Sequence, residues 1–395
     1  MKQYKYLYRK MLDKTLIHQA YLNLRSNKTK RVEIQYIDSH LHKEIDKMYE
    51  MIENTRPGKV SNPELSFKPI KHKPKYIREN GKCRTIYIPE IHEQWLHHII
   101  VPVLKPIILS TAKPNTCGSF PNRGPHYGKR KIMKWIRKGE YIRYYMKIDI
   151  RHFFDNIQHK VLFRELSNRI KDDWFLYIIR LCLSGFKRGL PLGFYISQWL
   201  ANYILEPVDY LITSLSSKSI RYMDDIISFG DDADCLKILV NKVSSMLGHR
   251  LHLNLKGNYQ VTLFDRHGRG RPLDFMGFLF YKNKVIMRKR IMLKATKLAR
   301  KIYSKRIKGY RIYKKWISGL LSYMGWFEHT DTYGCYLKYI KPYVKIGALK
   351  RIISSLDRKE NYDRLERNTI FTGTEFDHFN CSRPIFASQK CAVCV

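Results

Sequence analysis

The spacing of apolar residues predicts a helix-rich chain. Apolar side chains recur three and four positions apart, as one face of a helix requires, in five stretches: Leu7–Leu24, His40–Ile52, Ile91–Leu109, Trp199–Ile212 and Leu236–Leu247. Another helix is expected to begin with Lys129–Trp135. The segment Arg56–Pro74 holds four prolines, which is typical of an extended linker because proline removes a backbone donor and disfavours helix.

Shorter runs rich in β-branched and aromatic residues predict strands between the helices. Four of them are strand-like: Gly81–Ile88, which is typical of a hairpin after a turn, Tyr141–Ile150, Leu251–Val261 and Leu273–Tyr281. A fifth run, Arg221–Gly230, is interrupted by Asp224-Asp225 in the way that a hairpin turn interrupts two strands.

Composition limits what the chain can be. It has 395 residues, of which 44% are hydrophobic and 13% aromatic, enough for a packed core in two or three units. The formal net charge of +40 predicts a polyanionic partner, with nucleic acid the first candidate and an anionic membrane surface the second. No apolar run is long enough to span a membrane, and the first residues do not resemble a secretory signal. Eight scattered cysteines suit a reducing compartment, so a cytoplasmic protein is expected.

The densest positive charge lies in the second half of the chain. Residues 282–315 hold 15 Lys and Arg and no Asp or Glu, with tyrosines between them. A run of charge is usually a solvated helix face, but the absence of any acid favours a surface that follows a phosphate backbone. Lys297, Arg300 and Lys301 are the candidate nucleic-acid-binding residues.

Three acidic residues occur in apolar surroundings. Asp149 lies near the end of a predicted strand, and Asp224 and Asp225 interrupt the predicted hairpin. A solvated turn is the ordinary explanation of an Asp-Asp pair, but carboxylates among apolar residues need a counter-charge. Three carboxylates can hold two Mg²⁺ ions in the arrangement that serves phosphoryl transfer.

Two cations on the predicted hairpin extend this chemistry. Lys82 and Arg84 are two residues apart, so both side chains should project from one face of the strand. They would bind the β- and γ-phosphates of a nucleotide. Carboxylates, phosphate-binding cations and a basic surface together predict a nucleotide polymerase.

Five segments, in order along the chain, resemble the motifs of reverse transcriptases. They are Gly81–Ile88 (fingertip strand), Lys147–Asp155 (first catalytic motif), Gly189–Asn202 (second motif), Tyr222–Asp225 (signature box) and Leu273–Tyr281 (primer grip). The resemblance implies an α+β fold of the right-hand polymerase type, with fingers and palm built from antiparallel sheet and helices, and a helical thumb. It divides the chain into a basic N-terminal extension (1–75), fingers and palm (76–281), thumb (282–350) and C-terminal tail (351–395).

The resemblance also implies roles for individual residues. Asp149, Asp224 and Asp225 would be catalytic and, with Ile150, would bind two Mg²⁺ ions, for which Mn²⁺ could substitute. The nucleotide and the primer terminus would contact Lys82, Arg84, Ile150, Phe153, Phe154, Leu192, Gly193, Gln198, Tyr222 and Met223. Phe154 takes the position of an aromatic residue that excludes a ribose 2′-hydroxyl. The implied activity is RNA-directed synthesis of DNA.

The chain departs from the family pattern in two places. Many members have Gln in the second motif where this chain has Leu192, which is followed by Ser197-Gln198. That combination resembles the reverse transcriptases of diversity-generating retroelements and of defence-associated bacterial lineages, and both settings stay open. The lysine that ends the fourth motif does not align cleanly with Lys256, which leaves open whether Lys256 is a general acid.

Two other functions are alternatives. A catalytically silent RNA-binding protein, such as a splicing cofactor, would be expected to lack one metal carboxylate, and all three are present. RNA-templated RNA synthesis is disfavoured by the bulk of Phe154. The expected partners are an RNA template, in particular a dedicated non-coding RNA, the DNA product, deoxynucleotides, and an accessory protein or a second copy of the chain. A cytoplasmic ribonucleoprotein is expected, with no membrane partner.

Two smaller clusters, one acidic and one of histidine and cysteine, are interpreted separately. Asp231, Asp232 and Asp234 are interpreted as an N-cap region, in which Asp232 or Asp234 caps the helix that follows. Near the C-terminus, the spacing of one histidine and three cysteines suits either a small zinc loop or a disordered tail. The four residues with zinc-type side chains are His378, Cys381, Cys391 and Cys394.

Overall fold

The computed structural model describes residues 2–58, 62, 64–70, 72–79, 81–138, 142–265, 269–356 and 358. It divides into two compact units, Met1–Arg288 and Lys289–Val395. The four zinc-type residues of the tail, His378, Cys381, Cys391 and Cys394, lie outside the described residues. None of the described helices is both long enough and apolar enough to cross a membrane.

The structure has the mixed α+β composition that the sequence predicted. The helices of the first unit are α1 (Leu7–Met11), α2 (Lys14–Arg25), α3 (Val32–Ser39), α4 (Leu41–Asn54), α5 (Ile91–Leu109), α6 (Pro125–Lys138), α7 (Phe153–Asn156), α8 (His159–Ser167), α9 (Asp173–Leu183), α10 (Tyr195–Ile204), α11 (Glu206–Leu215) and α12 (Ala233–Met246). Its strands are β1 (Pro74–Glu79), β2 (Lys82–Tyr87), β3 (Thr116–Cys117), β4 (Tyr144–Asp149), β5 (Ser219–Tyr222), β6 (Asp225–Gly230), β7 (Gln260–Leu263), β8 (Leu273–Phe275), β9 (Phe278–Phe280) and β10 (Val285–Met287). The second unit contains α13 (Lys289–Ile307), α14 (Lys314–Glu328) and α15 (Tyr333–Tyr339).

A five-stranded sheet positions the acidic residues. Its strands run in the order β3-β5-β6-β4-β7, and all neighbours are antiparallel except β3 and β5. The run Ile226–Phe229 of β6 is buried along its whole length, since α12 packs across β4, β6 and β7. A strand that is buried on both faces needs cover on each of them, and two of the predicted acidic residues lie at the ends of neighbouring strands of this sheet, Asp149 in β4 and Asp225 in β6.

The N-terminal helices belong to the core of the first unit. Helix α2 packs along α5, and the indole Nε1 of Trp95 donates a hydrogen bond of 2.8 Å to the carbonyl of Ile17. Tyr21 packs against the same indole at 4.9 Å between ring centroids. Both Ile17 and Leu24 are fully buried. The basic residues of this segment therefore lie around an apolar face of α2 that is already buried against α5.

Several predicted elements are confirmed. Helix α5 has the predicted bounds, because its apolar residues cover almost the whole circumference and its two prolines do not end it. The hairpin predicted at Gly81–Ile88 is β2 paired with β1. Asp232 caps α12, accepting hydrogen bonds from the backbone N–H groups of Asp234 and Cys235.

Two predicted helices are each broken in two, so the single-helix predictions were wrong. Leu7–Leu24 is interrupted at Leu12, and Asp13 then caps α2 by accepting from the N–H of Thr15. Trp199–Ile212 is interrupted at Leu205, where α10 ends and α11 begins with a proline in its first turn. Proline is favoured there because its missing N–H would have had no partner inside the helix.

Two predicted strands also differ from the structure. Leu273–Tyr281 is the hairpin β8–β9, because Met276 and Gly277 both have positive φ, 51° and 91°, and reverse the chain. In Leu251–Val261 the chain leaves a π-helical turn at Leu247–Leu251 and forms a strand only from Gln260. Helix α6 begins four residues before the predicted Lys129, and β10 precedes the basic helix α13.

The packing of α2 predicts a large difference between two leucines of that helix. Leu24 is fully buried, whereas Leu22 is 44% exposed. Leu24→Ala should lower the free energy of unfolding by about 2–5 kcal/mol, because apolar burial is removed and a residual cavity remains, and Leu22→Ala by less than about 0.5 kcal/mol. Urea denaturation of the full chain measures both, and equal losses in the two variants would contradict the core assignment of α2.

Candidate active site

Strand pairing brings the three predicted carboxylates together. Asp149 is the last residue of β4 and lies directly opposite Asp225, the first residue of β6. Asp224 belongs to the tight turn that joins β5 to β6. All three therefore meet at one end of the sheet, as predicted, although Asp225 lies in the ladder and only Asp224 lies in the turn.

The site disfavours the ionised forms of Asp224 and Asp225. The pKa of Asp225 is raised to about 6, first by burial and then by the charges of Asp149 and Asp224, against the opposing charge of Lys147. The pKa of Asp224 is also raised, first by burial and then by Asp149. One carboxylate oxygen, Oδ1 of Asp149, is buried and has no hydrogen-bond partner. Such a site favours a cation that can neutralise several oxygens at once.

Lys256 supplies one positive charge to this site. Its backbone N–H donates a hydrogen bond of 2.9 Å to the carbonyl of Asp149, next to an isolated bridge between Ile150 and Leu255. Its ammonium group forms an ion pair with Oδ2 of Asp149. The sequence alone left the role of Lys256 open. Lys256 lies beside the carboxylates because its backbone pairs with the chain at the end of β4. No local sequence pattern indicates this pairing.

The donor set fits a hard divalent cation, although it is not arranged as a closed cage. Among the residues that the structure describes, no group of three or more His, Cys, Asp or Glu side chains is positioned to hold a metal ion as it stands. One oxygen of Asp149 is instead paired with the ammonium of Lys256. Mg²⁺ or Mn²⁺ would be held by Asp149, Asp224 and Asp225. The side chain of Ile150 is a buried hydrocarbon without a ligand atom, so this residue could bind an ion only through its backbone carbonyl.

Four of the predicted nucleotide-binding residues line one cavity. Phe154, Leu192, Gly193 and Gln198 surround a space of about 290 Å³. Phe153 is buried behind it, with its ring packed edge-on against Phe154 at 5.4 Å. The sequence prediction missed the other residues that line this cavity, which come from the N-terminal segment, α5 and α10: Lys28, Gln94, His97, His98, Phe194, Tyr195 and Ser197.

The fingertip strand β2 is held against the second motif by backbone contact. The N–H of Tyr87 donates a hydrogen bond of 2.7 Å to the carbonyl of Leu192. Gly193 has φ +106°, and a Cβ there would lie 2.1 Å from the carbonyl oxygen of Tyr87. Only glycine permits this approach. Arg84 is an exposed residue of the same strand, and its charge partly opposes the rise in the pKa of Asp224, of which burial is the first cause. Lys82 lies in β2, and its side chain is outside the described part of the structure.

The turn between β5 and β6 is closely packed from one side. Met223 adopts a left-handed backbone with φ 57°, and a Cβ on Gly118 would lie 3.0 Å from its Cγ. The hydroxyl of Ser119 donates to Oε1 of Gln198 at 3.1 Å and approaches the sulfur of Met223 at 3.4 Å. Tyr222 is half-buried, which raises its pKa. Gln198, Tyr222 and Met223 therefore lie near the same turn.

The candidate nucleic-acid-binding residues lie on α13 in the second unit. Lys297, Arg300 and Lys301 are exposed, because the opposite face of the helix packs inward through residues such as Ala295 and Ile302. The guanidinium of Arg300 lies 5.4 Å from the ring centroid of Tyr343, and Nζ of Lys301 lies 4.2 Å from that of Trp316. Cations and aromatic rings thus share one exposed surface.

Residues 70–263 match a protein family described as reverse transcriptase (RNA-dependent DNA polymerase). The chain carries a reverse transcriptase domain. The match contains β4 and the β5–β6 hairpin, and with them all three carboxylates. It confirms the predicted family and the right-hand polymerase type of the α+β fold, while the predicted division into extension, fingers and palm, thumb and tail stays a prediction.

Curated relatives of the reverse transcriptase domain come from bacteria and yeast. The group II intron-encoded protein LtrA of Lactococcus lactis is 26% identical over 227 residues, which are 54% of this chain and 36% of LtrA. Protein YkfC of Escherichia coli is 24% identical over 156 residues, 36% of this chain and 41% of YkfC. The chain therefore spans less than half the length of these relatives. Among solved structures, telomerase of Candida albicans in complex with a fragment of telomeric RNA is similar at a TM-score of 0.45 and 13% identity, over 78% of this chain and 61% of that chain.

The raised pKa of Asp225 predicts a pH-dependent cost of folding without metal. The folded protein holds this proton up to about pH 6, whereas an unfolded chain releases it near pH 4. Because the folded pKa is the higher one, this carboxylate increasingly destabilises the fold as pH rises between those values. In EDTA, Asp225→Asn should therefore raise Tm at pH 7.5, and the gain should shrink toward pH 4.5. The exposed residue Asp231 provides the control Asp231→Asn, and a gain that is independent of pH would contradict the burial of Asp225.

Proposed function

We propose that this chain is an RNA-directed DNA polymerase. The observation that carries the proposal is the meeting of Asp149, Asp224 and Asp225 at one end of the sheet, inside a domain that matches reverse transcriptases. The raised pKa values of Asp224 and Asp225 support a site built to receive positive charge. The substrates proposed are an RNA template, a primer 3′-hydroxyl and deoxynucleotides.

The residues around the carboxylates suit the binding of a deoxynucleoside triphosphate. Arg84 on the fingertip strand is close enough for its charge to act on Asp224, and a guanidinium can bind phosphate oxygens with two parallel hydrogen bonds. Phe154 lines the cavity beside Leu192 and Gln198, so its ring would exclude a 2′-hydroxyl. Bound divalent ions, two in the proposal, would lower the pKa of the primer hydroxyl and neutralise the triphosphate. The ammonium of Lys256, already paired with Asp149, would hold a proton beside the reacting phosphates.

The biological setting proposed for this activity is a cytoplasmic ribonucleoprotein of a diversity-generating retroelement or of an antiphage defence system. Leu192 supports the first of these, because an apolar side chain gives the incoming nucleotide no hydrogen bond and so discriminates less well between bases. Sequencing the RNA that co-purifies with the chain, and the DNA made from it, tests the setting. Errors concentrated opposite template adenine would support the retroelement, and faithful copies would favour defence.

Asp224→Asn tests the catalytic proposal. The variant should lose extension of a DNA primer on an RNA template by at least about 10³-fold, because one metal-binding charge is removed, while RNA affinity should change less than about twofold, because affinity comes from the cations. Primer extension and filter binding measure the two quantities. The matched control is Asp231→Asn, which removes an exposed carboxylate and should extend normally. Extension by Asp224→Asn within a few-fold of the wild type would refute the proposal, and an inactive wild type that binds RNA would favour a silent RNA-binding protein.

The basic face of α13 predicts a salt-dependent contribution to RNA binding. Lys297→Glu with Lys301→Glu should weaken RNA binding and reduce the log–log salt slope by about 0.7 for each phosphate that the variant no longer neutralises. The control is Lys237→Glu with Lys242→Glu on α12, which makes the same change of net charge at two exposed lysines. If the two double variants reduce the salt slope equally, net charge alone explains the effect, and the basic residues of α13 form only a solvated helix face.

A further inference from the structure

A buried ion pair lies directly beneath the turn that carries Asp224. Arg221 is the last-but-one residue of β5, and only 2% of it is exposed. Its Nε and Nη2 donate to the two carboxylate oxygens of Asp209 in α11, both at 2.6 Å. This is the two-pronged geometry in which arginine binds a carboxylate most specifically. The pair is therefore rigid, with its charges mutually satisfied.

The third nitrogen of the guanidinium is directed to the turn itself. Nη1 of Arg221 donates a hydrogen bond of 2.8 Å to the carbonyl oxygen of Met223. It also donates to Oδ1 of Asn202 in α10 at 3.2 Å. The amide of Asn202 in turn donates to the carbonyl of Gly118 at 3.3 Å. One side chain thus connects the turn to α10, to α11 and to the segment after β3.

The held carbonyl belongs to the peptide that precedes Asp224. Met223 has a left-handed backbone, φ 57°, which costs free energy for a residue with a side chain and persists only where surrounding contacts enforce it. The N–H of Met223 is also held, by a hydrogen bond of 3.2 Å to the carbonyl of Cys117. With both ends of Met223 held, the direction of the Asp224 side chain is set by the peptide that Arg221 holds.

We propose that Arg221 and Asp209, together with Asn202, are positioning residues that set the orientation of Asp224 and Asp225. This inference rests on the proposed polymerase function. Arg221 touches neither substrate nor metal in this account, and acts through the carbonyl of Met223. Arginine is required because a lysine can pair with Asp209 but has no second nitrogen to reach the turn at the same time.

The variants are chosen to separate positioning from stability. Arg221→Lys keeps the buried positive charge but removes the paired nitrogens that bind both oxygens of Asp209. The matched control is Arg169→Lys, because Arg169 is also 2% exposed and pairs with Glu206 of α11 at 3.2 Å, with hydrogen bonds to Ser110 and Thr111 and none to the turn. Both variants should lower Tm to a similar extent. Asp209→Asn is a second variant, which keeps the shape of the side chain and the guanidinium but removes one of the two acceptor oxygens.

Single-nucleotide incorporation on an RNA template then gives kcat and KM for the deoxynucleotide. Arg221→Lys should lower kcat by about 10²-fold, the effect expected of a small misplacement of catalytic groups, with KM within about threefold of the wild type. Arg169→Lys should keep kcat within about threefold. If Arg221→Lys does not fold, Asp209→Asn decides, with an expected loss of at least about tenfold in kcat at constant KM.

The outcomes distinguish this inference from the function on which it rests. An active wild type whose kcat falls no further in Arg221→Lys than in Arg169→Lys, or does not fall in Asp209→Asn where that variant decides, would overturn the positioning role alone. A loss confined to KM would also overturn it. A wild type without incorporation would overturn both the proposed function and the inference.

Discussion

The repulsion among three half-buried carboxylates is the constraint on which the rest of the site depends. Strand pairing fixes Asp149 opposite Asp225, and the hairpin turn adds Asp224 beside them. Burial and mutual charge both disfavour ionisation there, so without a counter-ion the arrangement costs stability. The chain supplies part of the compensation itself through Lys147 and Lys256. Binding of a cation would offset this cost, as the proposed polymerase function implies.

Close backbone contacts and one guanidinium group hold the three carboxylates in this arrangement. The second motif lies against the fingertip strand because Gly193 allows the carbonyl of Tyr87 to approach it. The turn before Asp224 lies against Gly118 and is held by the guanidinium of Arg221. These contacts tolerate little displacement, since replacing a glycine adds a clash and replacing the arginine leaves a buried carbonyl without its donor. Rigid support of this kind keeps catalytic groups in place through repeated turnover.

Much of this could be predicted from the sequence, and the failures have physical causes. Ile91–Leu109 was predicted correctly because its apolar residues form an unbroken helical pattern. The hairpin β8–β9 was missed because an apolar run does not show that Met276 and Gly277 take positive φ. The placement of Lys256 and the role of Arg221 could not be predicted for a different reason. Lys256 pairs with Asp149, 107 residues away in the chain, and Arg221 is anchored by Asp209 of α11, and spacing along the sequence shows neither pairing.

In the proposed function, the carboxylates of the reverse transcriptase domain form a binding site for divalent cations. Electron paramagnetic resonance of Mn²⁺, titrated into the purified protein, tests it without requiring catalysis. The wild type should bind Mn²⁺ at pH 7.5 and bind it progressively more weakly below about pH 6, where Asp225 holds a proton. Asp225→Asn should bind at least about tenfold more weakly at pH 7.5. Equal affinity in the two proteins, with no dependence on pH, would show that these carboxylates do not bind the ion.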